Sequence, residues 1–162
     1  MKLKTETYNL IELKYIKPVY MMLIFLMALT GFAQMPIFKR YYIADIPGLG
    51  WLAQFYVTHH MHYIGAILLL ALFIYVGVIY WAMMRQRLQL TRSAVMRIAF
   101  LFGIVVTGVL RVLKNLPNVV FSPEFTMFID ISHLGFMMMF LMVAAISSIT
   151  RRGWLRETNR YE

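Results

Sequence analysis

The stretch YIGAILLLALFIYVGVIYW, residues 63–81, contains no charged residue and is apolar or aromatic almost throughout. As an α-helix rising 1.5 Å per residue, it is about long enough to cross the hydrocarbon core of a bilayer, which needs roughly 20 residues. The whole chain agrees with this local signal: of its 162 residues, 61% are hydrophobic and 14% are charged, and the mean hydropathy is +0.68. These values predict an integral membrane protein.

Three more segments are long and apolar enough to span a membrane, so we predict four helices near residues 18–36, 52–84, 94–113 and 125–150. The predicted fold is an all-α four-helix membrane bundle forming a single domain, 1–162, without an internal repeat. The stretch up to Lys17 mixes apolar and charged residues, which is typical of a short interfacial helix. No signal-peptide pattern precedes the first span, so we expect it to be retained.

The basic residues are divided unevenly among the loops. Twelve of the sixteen lie before span 1, between spans 2 and 3 or in the first turn of span 3 (Arg97), or after span 4. By the positive-inside rule, this distribution predicts that both termini are cytoplasmic. The net charge of +9 therefore reflects topology, with anionic membrane lipid as a secondary partner, and we expect no nucleic-acid role. The absence of cysteine excludes disulfides, thiolate metal sites and iron-sulfur clusters held by this chain.

Three of the four histidines, His59, His60 and His62, lie at the start of span 2, and His133 lies in span 4. Counting from the predicted inner boundaries puts His62 and His133 at similar depth in the outer leaflet. His59 and His62 are about 60° apart on one helical face, whereas His60 points about 160° away from His62. Histidine within a span indicates a functional site, although the wet membrane interface also accommodates the three residues of span 2.

Four chemistries can use such a group: a bis-histidine haem, a zinc or copper site, a di-iron site, or a proton relay. A zinc or copper site would draw on His59, His62, His133 and Asp130. Membrane di-iron enzymes need many more histidines than four. A haem accounts best for the pattern, because two imidazoles on neighbouring helices can hold the iron from opposite faces. Small residues that would make room for the ring are Gly65, Ala66, Gly103, Gly108 and Gly135. Arg111 and Lys114 are candidates to bind the haem propionates, or they simply reach the interface.

The four spans together resemble a known family. FLMALTGFAQMP (residues 25–36), HHMHYIGAILLLALFIYVGVIYW (59–81), FGIVVTGVLRV (102–112) and IDISHLGFMMMFLM (129–142) are similar, in order and topology, to the four-helix cytochrome b subunits of respiratory formate dehydrogenases and nickel-iron hydrogenases. The resemblance implies an electron-transfer subunit that connects a periplasmic redox partner to membrane quinone. It also implies an outer b haem held by one histidine near the start of helix 2 and one near the start of helix 4.

The sequence departs from that family at the inner haem. Lys17 and Ser147 occupy positions near the two inner-haem histidines, and neither is an ordinary haem ligand. We therefore expect one b haem per chain, held by His62 and His133 with His59 as the alternative to His62, unless methionine supplies a second site. Methionines in spans 1 and 4 are more typical of packing.

The predicted role is thus non-catalytic electron transfer within a hetero-oligomeric complex of the prokaryotic inner membrane, with a periplasmic iron-sulfur or multihaem c-type partner. Quinone reduction or quinol oxidation near the outer haem would need proton-exchanging groups, for which Asp130, Glu124, His59 and His60 are candidates. The position of Asp130 is equally typical of a residue that caps, or is solvated at, the start of span 4. The alternative functions are a haem-free membrane anchor or assembly subunit and, less favoured by the few polar groups in the spans, a small transporter or channel.

Overall fold

The computed structural model describes residues 2–35 and 37–157, with side chains described from residue 15 to residue 156. Four long helices dominate this part of the chain: α1 (Lys2–Ala33), α3 (Phe55–Ile79), α4 (Arg92–Leu113) and α5 (Pro123–Ile149). The shorter elements are α2 (Ile37–Arg40), 3-10 turns at Ile43–Asp45 and Gly50–Ala53, a π-helical turn at Tyr80–Met84, and strands β1 (Leu88–Leu90) and β2 (Leu155–Glu157). The all-α prediction is confirmed.

Four helical segments of the described residues are long and apolar enough to cross a membrane: Tyr15–Ala33, Phe55–Met84, Arg92–Leu113 and Pro123–Ile149. The prediction of a multi-pass membrane protein is therefore confirmed. Large apolar side chains such as Phe25, Ile67 and Phe102 are mostly exposed on these helices. Such surfaces are costly in water but match the hydrocarbon of a bilayer.

The chain divides into two compact units, unit 1 (Met1–Ala82) and unit 2 (Met83–Glu162). In unit 1, α1 and α3 are antiparallel, because Tyr20 contacts Phe73 while Thr30 contacts His62. In unit 2, α4 and α5 are antiparallel in the same way, since Ser93 contacts Ser147 while Thr107 contacts His133. Each unit is therefore a helical hairpin.

The N-terminal prediction is wrong in one respect. Instead of a separate interfacial helix ending near Lys17, a single helix α1 runs from Lys2 through Pro18 to Ala33. A proline inside a helix removes one backbone donor, which membrane helices tolerate when nearby groups compensate.

The ends of the unit 2 helices follow from local polar residues. The Thr91 side chain accepts a hydrogen bond from the Ala94 amide at 3.1 Å, and the Ser122 side chain caps the start of α5. These caps place both helix starts two residues before the apolar runs from which the spans were predicted. At the end of α5, Arg151 has a φ of 52°, and the Arg152 amide donates to the Ser147 carbonyl at 2.8 Å. This geometry closes a Schellman turn without glycine.

Beyond that turn, the chain returns to the start of α4. Strand β2 pairs with β1 in antiparallel register, with Leu90 opposite Leu155. The Trp154 ring lies 3.9 Å from the Arg97 guanidinium carbon, and the Thr91 hydroxyl donates to the Gly153 carbonyl at 2.9 Å. These contacts form the C-terminal clamp of unit 2 (Thr91, Arg97, Gly153 and Trp154), which the sequence pattern did not predict.

Candidate functional site

In unit 1, His62 of α3 is held by two consecutive residues of α1. The Oγ1 of Thr30 lies 2.9 Å from the Nδ1 of His62, and Thr30 is fully buried. Gly31 lies directly against the ring, so that a Cβ at this position would lie 3.3 Å from the His62 Cε1. Thr30, Gly31 and His62 are called the unit 1 cradle below. The hydroxyl holds one edge of the imidazole while the glycine makes room for the adjacent carbon.

In unit 2, His133 of α5 is held by α4 in the same manner. The Oγ1 of Thr107 lies 3.0 Å from the Nδ1 of His133, and Thr107 is buried. A Cβ at Gly108 would lie 3.4 Å from the His133 Cε1. Thr107, Gly108 and His133 form the unit 2 cradle. The two cradles thus use the same atoms of the same three residue types.

Each cradle is accompanied by a close helix contact about one turn away. In unit 1, Gly65 of α3 faces Met27 of α1, and a Cβ at Gly65 would lie 2.8 Å from the Met27 Sδ. In unit 2, Gly103 of α4 faces Phe136 of α5, and a Cβ at Gly103 would lie 2.9 Å from the Phe136 Cγ. Gly65 and Gly103 were both predicted to make room for a flat ring. In the structure, the space beside each glycine holds a side chain of the same hairpin, Met27 and Phe136 respectively.

His59 lies in a different environment at the start of α3. Its Nδ1 is 3.2 Å from the Oε1 of Gln34, and its ring stacks on Phe55 with centroids 5.2 Å apart and contacts Tyr63 at 4.3 Å. The Nε2 of Gln34 in turn donates to the Thr30 carbonyl at 3.4 Å. Gln34 therefore connects His59 to the residue that holds His62.

His60 points away from these contacts, as its helical position predicted. It is exposed, and its Nδ1 lies 2.7 Å from the carbonyl oxygen of Tyr56, one turn earlier in the same helix. His62 instead contacts Thr30 of α1, and His59 contacts Gln34, the residue that follows α1. The helical spacing alone therefore separated His60 from the other two histidines correctly.

The charged candidates of unit 2 form an ion cluster. The carboxylate of Asp130 lies 2.9 Å from the Nε of Arg111 and 2.7 Å from the Nζ of Lys114. The three side chains are partly exposed, at 34% for Arg111, 19% for Lys114 and 39% for Asp130. Two cations thus face one carboxylate. Glu124 is exposed in the first turn of α5.

The remaining sequence candidates have structural surroundings of their own. Within either unit, no three His, Asp or Glu side chains among the described residues come together as a metal site. Ser147, at one of the family's inner-haem positions, is buried and shares a hydrogen bond with Ser93. It also donates to the Val143 carbonyl at 2.6 Å. Lys17, at the other position, is exposed.

Sequence reasoning missed Thr30, Thr107 and Gln34. A signal for the two threonines was present, since each hairpin's first long helix carries a Thr-Gly pair, in ALTGFA (residues 28–33) and VVTGVL (105–110). Threonine is easily passed over in a membrane helix because its hydroxyl usually bonds to its own helix backbone. Only the packing of each hairpin brings the pair against a histidine.

Comparison with family models, with curated proteins and with solved structures yields no match. The similarity to four-helix cytochrome b subunits therefore stands on the residues quoted above.

Proposed function

We propose that this protein is a membrane cytochrome b subunit that transfers electrons, with His62 and His133 as the axial ligands of one b-type haem per chain. The observation that carries the proposal is the repeated cradle: two half-buried imidazoles, each held through Nδ1 by a buried threonine hydroxyl. Axial and metal-ligating histidines are commonly oriented in this way, through a hydrogen bond at the nitrogen that does not coordinate.

The cradles fit the chemistry of a haem ligand. With Nδ1 engaged, the nitrogen that would coordinate iron is Nε2, at the opposite edge of the ring. Gly31 and Gly108 allow each imidazole to approach its neighbouring helix closely, so the ring plane is supported on one side. When bound, haem supplies a one-electron carrier whose potential depends on its axial ligands and their hydrogen bonds.

The contacts also favour His62 over the other two histidines of α3. His62 shares its pattern of contacts with His133, whereas His59 bonds to an amide oxygen and stacks between aromatic rings. His60 bonds to its own helix at an exposed position. The ligand assignment therefore follows from the match between the two cradles.

The ion cluster of unit 2 suits an anionic group next to the haem. Asp130 neutralises only one of the charges on Arg111 and Lys114, so one positive charge remains for a haem propionate or a lipid phosphate. The carboxylate of Asp130 contacts both Arg111 and Lys114. We assign it to positioning the two cations.

Quinone chemistry, where it occurs, belongs closer to His59. A quinone headgroup is flat and carries hydrogen-bond acceptors, and His59 combines an imidazole with the neighbouring rings of Phe55 and Tyr63. An imidazole titrates near neutral pH and can exchange the protons that quinone reduction or quinol oxidation requires. His59 thus takes the role for which Asp130, Glu124 and His60 were the other candidates.

The proposed setting is a hetero-oligomeric respiratory complex of the prokaryotic inner membrane, in which a periplasmic iron-sulfur or multihaem c-type protein exchanges electrons with this haem. The basic loops favour cytoplasmic termini. In that orientation, we expect a periplasmic partner to dock on the loop between α1 and α3 and the loop between α4 and α5.

The test is a reduced-minus-oxidised absorption spectrum of the chain purified from membranes, together with the number of haems per chain. We expect a b-type α band and one haem per chain. His62→Ala and His133→Ala should each remove the entire band, because one haem needs both ligands, while His60→Ala should leave it unchanged.

Two other outcomes would contradict the proposal. Purified chain without haem would instead support a membrane anchor or assembly subunit. If His62→Ala and His133→Ala each removed only half of the haem, the cradles would serve separate haems. Equal yields of the three variants in the membrane would serve as the control for folding.

A further inference from the structure

The contacts of the two threonine hydroxyls bear on which nitrogen of each histidine carries the proton. In unit 1, the Thr30 Oγ1 lies 2.7 Å from the Leu26 carbonyl oxygen, one turn earlier in α1. A carbonyl oxygen only accepts hydrogen bonds, so at this distance the single hydroxyl hydrogen is directed at Leu26. The short contact between Thr30 and His62 then needs its proton from the other partner. This arrangement favours the Nδ1 of His62 as the donor.

The same argument holds independently in unit 2. The Thr107 Oγ1 lies 2.7 Å from the Gly103 carbonyl oxygen, which directs its hydrogen along the helix. Its contact with the Nδ1 of His133, at 3.0 Å, requires that this nitrogen donate. The geometry at both sites therefore fits an imidazole that is protonated at Nδ1 and has its lone pair on Nε2.

We infer that Thr30 and Thr107 are positioning residues that hold His62 and His133 in the Nδ1–H tautomer, with the Nε2 lone pair presented for coordination. The inference deepens the proposed function, since an axial haem ligand needs that lone pair. At each site, the threonine oxygen accepts a hydrogen bond from the histidine Nδ1. The threonine hydroxyl itself donates to a carbonyl oxygen of its own helix.

Burial makes the effect strong. Thr30 is 0% and Thr107 is 7% exposed, so water does not readily replace the hydroxyl oxygen as the acceptor. In a Thr→Val variant, the imidazole would lose the hydroxyl oxygen as an acceptor at nearly unchanged side-chain volume, although His133 would keep its hydrogen bond to the Ile104 backbone. A buried donor without an acceptor is unfavourable, so the tautomer preference weakens and the ring becomes free to turn.

The hydrogen bond also changes the imidazole as a ligand. An acceptor at Nδ1–H moves electron density towards Nε2 and makes the ring a stronger donor to iron. A stronger donor favours the oxidised haem. Loss of the threonine oxygen is therefore expected to raise the midpoint potential, and loss of such outer partners lowers metal affinity by about 10- to 100-fold.

The experiment compares Thr30→Val, Thr30→Ser, Thr107→Val and Thr107→Ser in the full chain in lipid. The matched control is Thr58→Val, because Thr58 is also fully buried but bonds to the Gln54 and Phe55 carbonyl oxygens of its own helix. Haem affinity and the midpoint potential of bound haem are measured for each variant. We expect weaker affinity and a higher potential for the valine variants at 30 and 107, and wild-type values for both serine variants and Thr58→Val.

A second readout works without haem. Nitrogen NMR of 15N-histidine-labelled chain, expressed under haem limitation and held at alkaline pH in lipid, distinguishes Nδ1–H from Nε2–H imidazole. We expect His62 and His133 in the Nδ1–H form, with Thr30→Val affecting only His62 and Thr107→Val only His133. His60→Ala identifies the exposed histidine's signal.

The outcomes separate this inference from the proposed function. Wild-type protein that binds no haem but shows Nδ1–H at both positions would retain the positioning role and reject the cytochrome. Haem-binding protein whose valine variants keep the wild-type potential and tautomers would reject the positioning role and retain the cytochrome. Serine variants that behave like the valine variants would also overturn it, because serine restores the oxygen.

Discussion

The two hairpins hold a histidine with the same three residues but achieve the necessary close approach of their helices differently. In unit 1 the small residue is Gly65 on the histidine helix, and it faces Met27 on the threonine helix. In unit 2 the arrangement is reversed, with Gly103 on the threonine helix facing Phe136 on the histidine helix. The cradle thus requires one small residue at the crossing, and either helix can supply it. In membranes, where lipid is as apolar as the side chains, such small residues largely determine how near two helices lie.

The hairpins differ more beyond the cradles. Next to its cradle, unit 1 has the hydrogen-bonded pair His59 and Gln34, whereas unit 2 has the ion cluster around Asp130. At its other end, unit 2 is tied by the C-terminal clamp. The two hairpins thus share the histidine cradle and differ in the polar groups next to it.

The largest effect should come from filling the helix crossing of unit 2. Gly103→Ala places a Cβ within 3.0 Å of three atoms of the Phe136 ring. A rigid ring cannot relieve this contact by rotating side-chain bonds, as a methionine side chain can. We expect Gly103→Ala to destabilise the protein by about 1–3 kcal/mol, typical of overpacking, and Gly65→Ala by less, because Met27 has three flexible torsions.

Thermal unfolding of the purified chain in detergent would rank these variants. Gly77→Ala and Gly135→Ala are the controls, because no described atom lies within 4 Å of a Cβ at either position. A melting temperature for Gly65→Ala below that of Gly103→Ala would contradict the assigned difference between a rigid and a flexible neighbour.

The C-terminal clamp of unit 2 should give the next effect. Trp154→Ala removes the ring over the Arg97 guanidinium, which is buried at 6% exposure. Cation–π contacts contribute about 0.5–2 kcal/mol depending on burial, so we expect a loss of about 1 kcal/mol and faster proteolysis of the C-terminal segment. Trp154→Phe retains an aromatic face and should lie between the wild type and Trp154→Ala; equal losses for both would point to the indole N–H instead.

A smaller and equal effect is expected at the cradle glycines. Gly31→Ala and Gly108→Ala put a Cβ 3.3 and 3.4 Å from the respective histidine Cε1, so each ring must shift by a few tenths of an ångström. Both variants should fold normally and, where the chain binds haem as proposed, show a similar, modest rise in the rate of haem loss to an apo-haem acceptor. Clearly unequal rates would indicate that the two cradles are not equivalent.

The smallest effect should come from the ion cluster. Asp130→Asn removes the anion between Arg111 and Lys114, but all three side chains are partly exposed, and such pairs contribute about 1 kcal/mol or less. We expect a small loss of stability that shrinks at high salt, together with tighter binding of vesicles rich in anionic lipid. Glu124→Gln, an exposed carboxylate of the same helix, is the comparison; an equal response to salt would mean that net charge alone is responsible.

Much of the architecture was predictable because the bilayer imposes strong constraints on sequence. A span needs a long apolar run, and the runs in α3, α4 and α5 lie within three residues of the observed helices. The helix starts were less accurate, since Thr91 and Ser122 cap the helices from polar positions outside those runs. The sequence predicted separate segments before and after Lys17, because the charged residues stop there. The helical backbone nevertheless continues without a break to Ala33.

The repeated cradle was not predictable from the sequence. The threonine and histidine are 32 residues apart in unit 1 and 26 in unit 2, and the glycine at the crossing changes helix between the units. A direct comparison of the two halves therefore shows little more than a Thr-Gly pair. The pairing of Asp130 with both Arg111 and Lys114 likewise depends on the antiparallel packing of α4 and α5.

By itself, the sequence determined that the protein is helical and crosses the membrane, because hydrophobic length and backbone hydrogen bonding in lipid leave few alternatives. It also determined that His59 and His62 share a helical face apart from His60, since that follows from the period of one helix. The tertiary structure alone decided which atoms hold each imidazole. That choice depends on two helices meeting at one register, where a threonine oxygen, a glycine and a ring come together from distant parts of the chain.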